Sequence, residues 1–174
     1  MSYGQAVQGW HDFYVTAGAA AATLVGLLFV GLSLHIRVVV AHPDVRSLAR
    51  VTLTDFVVVL LVALLLLSPA GGDQTAGIAL MIVAGVSLFI MLRVALDGLR
   101  MRRLRTIDLR TLAARFGLSG ACYLLVGVVG VVLDRGDFEH ALNALLFVLV
   151  MLLVVAVRNT WDLLVTVADK HARA

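Results

Sequence analysis

Asp55 is the residue whose type and place most invite chemistry, because an acid inside the apolar run from Val51 to Ser68 is costly unless paired, hydrated or protonated. At 1.5 Å per residue it stands about 7 to 8 Å beyond Arg50 along a helix, inside the edge of the apolar zone. Two roles are open to it. It meets a cation from a neighbouring helix end, with Arg37 or Arg93 as candidates, or it forms an ion or proton site to which His35 contributes. Asn143 is a weaker polar candidate, and both side chains are expected to face protein.

Other reactive types are poorly placed. Ser119 stands in Gly117-Leu118-Ser119-Gly120, a setting for a membrane-embedded nucleophile, but such a serine needs a histidine base within hydrogen-bond reach. His11, His35, His42, His140 and His171 all fall at the ends of apolar runs or between them. None has a partner at the third or fourth position that would suit a metal or haem, apart from the weak neighbour pair Glu139-His140. Cys122 is the one cysteine, so there is neither a disulfide framework nor a thiolate cluster. With no phosphate loop and no dinucleotide fingerprint, no cofactor and no catalysis are expected.

The elements that carry these residues are membrane spans. A chain of 174 residues that is 61% hydrophobic and 14% charged has too much apolar surface for a water-soluble globule of its size. Its mean hydropathy is +1.02. Apolar runs near 13–34, 51–68, 76–92, 116–133 and 141–157 are each long enough to cross a bilayer core. The expected fold is therefore all-α, a single polytopic transmembrane domain of about five spans. Pro43 with Asp44, Asp73, Thr106 with Asp108, and Asp137 with Glu139 supply helix starts. Pro69 with Gly71-Gly72 closes the second span, and Asp134-Arg135-Gly136 makes the last turn.

Charge sets the orientation. With five spans, thirteen of the fourteen basic residues share one face and Arg135 alone lies on the other, which selects N-out, C-in. The loop 93–115 holds seven of them; Arg100, Arg102, Arg103 and Arg105 at its centre are expected to contact anionic lipid headgroups. The pI near 9.6 does not imply nucleic acid, since the basic segments lack aromatic interleaving and any recognition motif. Trp10, Phe13 and Tyr14 at one end of the first span and Trp161 near the end of the last are placed as interface anchors.

The first span is rich in small residues, with Gly18, Ala22 and Gly26 at successive fourth positions and Ser33 one heptad further. A face so poor in side chains lets another helix approach closely. It could pack within the chain, against a second copy, or along a narrow pore. Gly120, Gly127 and Gly130 give the fourth span a similar face, so a pairing of the first and fourth spans is expected. The segment Trp10 to Tyr14, followed by this helix with Gly26-Leu27-Leu28-Phe29-Val30 and Ser33-Leu34, resembles a widespread group of small, uncharacterised bacterial membrane proteins. The likeness covers about the first third of the chain and implies a bacterial inner-membrane location, without a settled activity. A non-catalytic structural or regulatory subunit that forms homo-oligomers is the expected function, with an oligomeric channel or small transporter as the alternative.

Overall fold

A computed structural model describes residues 3–68, 73–102 and 109–172 of the chain. It is helical throughout, with α1 (Tyr3–Gly9), α2 (His11–Leu34), α3 (Ile36–Ala41), α4 (Pro43–Leu67), α5 (Asp73–Arg102), α6 (Leu109–Asp134) and α7 (Phe138–Ala172), and no strand among the described residues. Five of these are long and apolar enough to cross a membrane, over His11–Leu34, Val45–Leu67, Gln74–Asp97, Phe116–Asp134 and Phe138–Lys170. Thr106 and Asp108, expected to start the fourth span, and Pro69 with Gly71-Gly72 lie outside the described residues.

Local sequence explains most of the boundaries. Pro43 occupies the first turn of α4, where its missing N–H is no loss. At the other end of the bundle α6 stops in a Schellman turn, with Gly136 N–H donating to Leu133 O at 3.0 Å and Asp137 N–H to Val132 O at 3.4 Å. Gly136 there has φ of 87°, a conformation that suits glycine. Asp137 then stands before α7, its carboxylate 2.9 Å from His140 Nδ1, and this hydrogen bond holds the Asp137 carboxyl below its ordinary range. Helix α7 runs well past residue 157, where its apolar run ends. It continues because Leu163 and Val167 still find a core, packing with Val39 of α3 and Val45 of α4.

The helix pairs differ from the expected ones. Helix α2 lies mainly on α4, α6 lies on α5, and α7 backs both α4 and α6. Gly120 and Gly127 do face a neighbour, but it is α5: a Cβ at Gly120 would lie 2.7 Å from Met91 Cε, and one at Gly127 3.3 Å from Ala84 Cβ. The tightest crossing joins Gly77 to Gly130, where a Cβ on either would come within 2.8 Å of the other's carbonyl oxygen. Two helix backbones touch there because neither residue has a side chain.

On α2 the expected smooth face is only half used. Its buried residues are Tyr14, Ala17, Gly18, Ala21 and Leu28, whereas Ala22, Gly26 and Ser33 are exposed on the outside of the bundle. Gly18 meets α4, with Ala63 Cβ 3.0 Å from where its own Cβ would be, but a Cβ at Gly26 would meet nothing within 4 Å. Residues spaced by four drift around a helix by about 40° per step, so the row that starts at the α4 contact has turned away from it two steps later. Tyr14, which the sequence places as an interface anchor, is instead fully buried with its ring edge-on to Phe13. Trp161 is 68% exposed.

Two apolar cores result. The larger gathers Tyr14, Val59, Leu80, Val126, Leu142 and Leu149 among others, and the smaller gathers Leu28, Val45, Phe56, Ala156 and Leu163 toward the end where Arg37, Arg50, Arg93 and Arg158 lie. Outside them, Leu27, Phe29, Ile82, Leu124 and Phe147 are all more than half exposed. An apolar surface spread around the whole bundle suits hydrocarbon, not water.

Candidate functional site

Between the two cores lies a cluster of polar side chains. Asp55 of α4 is fully buried, as are Ser119 and Tyr123 of α6, and Asn159 of α7 is 4% exposed. Each falls in the heptad-spaced buried row of its own helix: Leu48, Thr52, Asp55, Val59 and Val62 on α4, Ser119, Tyr123 and Val126 on α6, and Leu149, Leu152, Ala156, Asn159 and Leu163 on α7. The same spacing that buries the leucines therefore delivers these four polar groups to the interior. Ser119 and Tyr123, four residues apart, point from one face of α6.

All the hydrogen bonds converge on Asp55. Tyr123 O–H donates to Oδ1 at 2.6 Å, Ser119 O–H donates to Oδ2 at 3.0 Å, and Asn159 Nδ2–H donates to Oδ2 at 3.4 Å. The first is a short, strong contact, and the third is near the limit for a hydrogen bond. Thr52, one turn before Asp55 and also fully buried, turns its hydroxyl to Leu48 O at 2.9 Å and takes no part. Cys122 is buried next to the cluster as a free thiol. Helices α4 and α6 meet only over a short stretch, and the Asp55 bonds are made at that meeting. They tie together three spans that side-chain packing alone joins chiefly through α7.

The expected cation is not there. Neither Arg37 nor Arg93 reaches Asp55, and all three of its partners are neutral donors. Arg93 instead places its guanidinium over the Phe89 ring, 4.8 Å from the centroid. His35 does not join the cluster either; its Nδ1 is 3.2 Å from Gly31 O at the break between α2 and α3. Asn143, expected to face protein, is exposed on the outside of α7. Arg103 and Arg105 lie outside the described residues, as do the side chains of Arg100 and Arg102.

Ser119 is thus a donor to a carboxylate and makes no hydrogen bond to a histidine among the described residues. A signal for Tyr123 and Asn159 was present in the sequence. Both sit on apolar rows at heptad spacing, and a polar group on such a row must find a partner inside. Asn159 lies two residues past the apolar run 141–157, so hydropathy alone does not place it inside the bundle. No group of three or more His, Cys, Asp or Glu suited to a metal ion occurs among the described residues.

No family model matches the chain, and neither a curated protein nor a solved structure is found similar to it.

Proposed function

We propose that the chain is a small bacterial inner-membrane protein, oriented N-out and C-in, that serves as a non-catalytic structural or regulatory subunit and self-associates in the bilayer. The observation that carries this reading is the closed Asp55 cluster. Its polar groups gather at one level and hydrogen-bond one another, instead of being strung along the bundle as a route from face to face. Interhelical hydrogen bonds of this kind fix which spans pack together and in what register. The outward small-residue surface of α2, with Ala19, Ala22 and Gly26 exposed, supports close approach by a second copy.

One feature favours a channel or transporter as the second reading. A carboxylate with three neutral donors and no cation among the described residues, deep in a membrane bundle, needs its charge balanced by a proton or by a monovalent cation. Exchange of that proton or cation with the basic end would make Asp55 a transport site. Liposomes containing the purified protein, read with a pH dye and with sodium and potassium flux, separate the two. The subunit reading expects no flux above protein-free vesicles and a particle mass of more than one chain. Flux that disappears with Asp55→Asn, in a variant that still folds, would replace it with the transport reading.

A further inference from the structure

A recess between α4 and α5 opens at the basic end of the bundle and runs toward its middle. Its mouth, about 440 Å³, is lined by Arg50, Arg93, Asp97 and the ring of Phe89. Its continuation, about 320 Å³, is an apolar furrow between Leu53, Val57 and Leu61 of α4 and Ile82, Val86 and Ile90 of α5, with Ile90 common to both parts. Thr54 and Ser87 also border the furrow, but their hydroxyls donate to Arg50 O at 2.9 Å and Val83 O at 2.8 Å on their own helices. They present no unmet polar group to an occupant.

We propose that this recess binds one anionic phospholipid, with the phosphate held between Arg50 and Arg93 and one acyl chain laid along the furrow. Charge supports the headgroup. Neither arginine pairs with a carboxylate among the described residues, and Arg93 is braced by stacking on Phe89 at 4.8 Å. Two guanidiniums and Asp97 leave the mouth with one net positive charge, which a singly charged phosphodiester balances. Length supports the chain. From Arg50 to Leu61 the furrow extends about 16 Å along α4, close to half of the roughly 30 Å hydrocarbon core, the depth of a single leaflet. A bulk lipid would find charge at the interface anywhere along the basic loop. Here two guanidiniums with no carboxylate partner among the described residues stand at the head of a recess one leaflet deep.

The site requires that the chain spans a membrane and is independent of the subunit and transport readings. Its test uses the purified full chain in a neutral detergent, titrated with dioleoyl phosphatidylglycerol, dioleoyl phosphatidylcholine or glycerol 3-phosphate and read by native mass spectrometry and melting. The expected result is one retained phosphatidylglycerol, bound at least tenfold more tightly than phosphatidylcholine, and no effect of glycerol 3-phosphate. The double variant Arg50→Gln/Arg93→Gln should weaken phosphatidylglycerol by roughly 10- to 30-fold, taking each basic residue at its usual contribution near a lipid surface. Its lipid-free melting should not change, since both side chains are exposed. Val86→Trp, which fills the furrow without altering charge, should weaken binding as well. A double variant that keeps the full preference would place the lipid elsewhere and overturn the proposal. Equal protection by glycerol 3-phosphate, or no effect of Val86→Trp, would reduce the recess to an anion site and overturn it too.

Discussion

Asp55→Ala removes the acceptor from three buried donors at once, and the geometry says how unequally they will suffer. Ser119 can turn its hydroxyl back to a carbonyl of its own helix, and the Asn159 contact, at 3.4 Å, is weak to begin with. Tyr123 has neither escape. Its O–H sits at the end of a rigid ring, fully buried, with the 2.6 Å bond to Asp55 as its hydrogen bond. A buried donor left unmet costs about 1 to 3 kcal/mol, while interhelical hydrogen bonds in membranes average about 0.6 and reach about 1.7. Together these give a loss of about 2 to 4 kcal/mol for Asp55→Ala, most of it at Tyr123.

Two companions sharpen the test. Asp55→Asn keeps a carbonyl for Tyr123 and turns an NH2 toward Ser119 and Asn159, whose hydroxyl and amide can both reverse to accept. With no arginine among the described residues to strand, it should cost less than about 1 kcal/mol. Adding Tyr123→Phe to Asp55→Ala removes the stranded donor and should recover part of the loss. Unfolding of the four proteins in one detergent, with the double-mutant cycle closed by Tyr123→Phe alone, measures all of this. If Asp55→Asn proves as damaging as Asp55→Ala, a cation holds Asp55 and the neutral cluster is wrong. If Asp55→Ala is silent, the carboxylate is hydrated.

Gly130→Ala should be disruptive, because its Cβ would come within 2.8 Å of Gly77 O and 3.0 Å of Met81 Cγ. Overpacking of this kind costs about 1 to 3 kcal/mol, measurable as lowered melting, whereas Gly85→Ala, with nothing within 4 Å, should be neutral. On α2, Gly18→Leu should destabilise the bundle by collision with Ala63 and Gly26→Leu should leave its melting unchanged. If Gly26→Leu lowers the mass of the detergent particle while the fold persists, that face is a contact between copies; an unchanged mass removes it from the self-association reading. For topology, Gln74→Cys in a Cys122→Ser background should react with an impermeant thiol reagent from outside the cell and Arg103→Cys should not, the reverse pattern refuting N-out, C-in.

Hydropathy is a local property, and what depends on it was legible. Each apolar run became a helix long enough to cross a membrane, Pro43 opened α4, and Gly136 closed α6 because a left-handed turn selects glycine wherever it lies. Asp55 stood out for the same reason, since an acid in an apolar run is visible without knowing what surrounds it. That Ser119, Tyr123 and Asn159 would be the groups to meet it was not visible, even where each stood on a heptad-spaced apolar row. Asn159 is 104 positions away and meets Asp55 only because α7 backs α4 at that level. Nor could the sequence say that Gly120 and Gly127 lie on α5, or that Gly26 faces away from α4 while Gly18 touches it. Lipid tails are as apolar as leucine, so a membrane helix carries no hydropathy difference between the side that meets protein and the side that meets lipid. Which helices are neighbours, and which way each is turned, is decided by close packing at a few small residues and by where buried polar groups find one another, and both exist only in the assembled bundle.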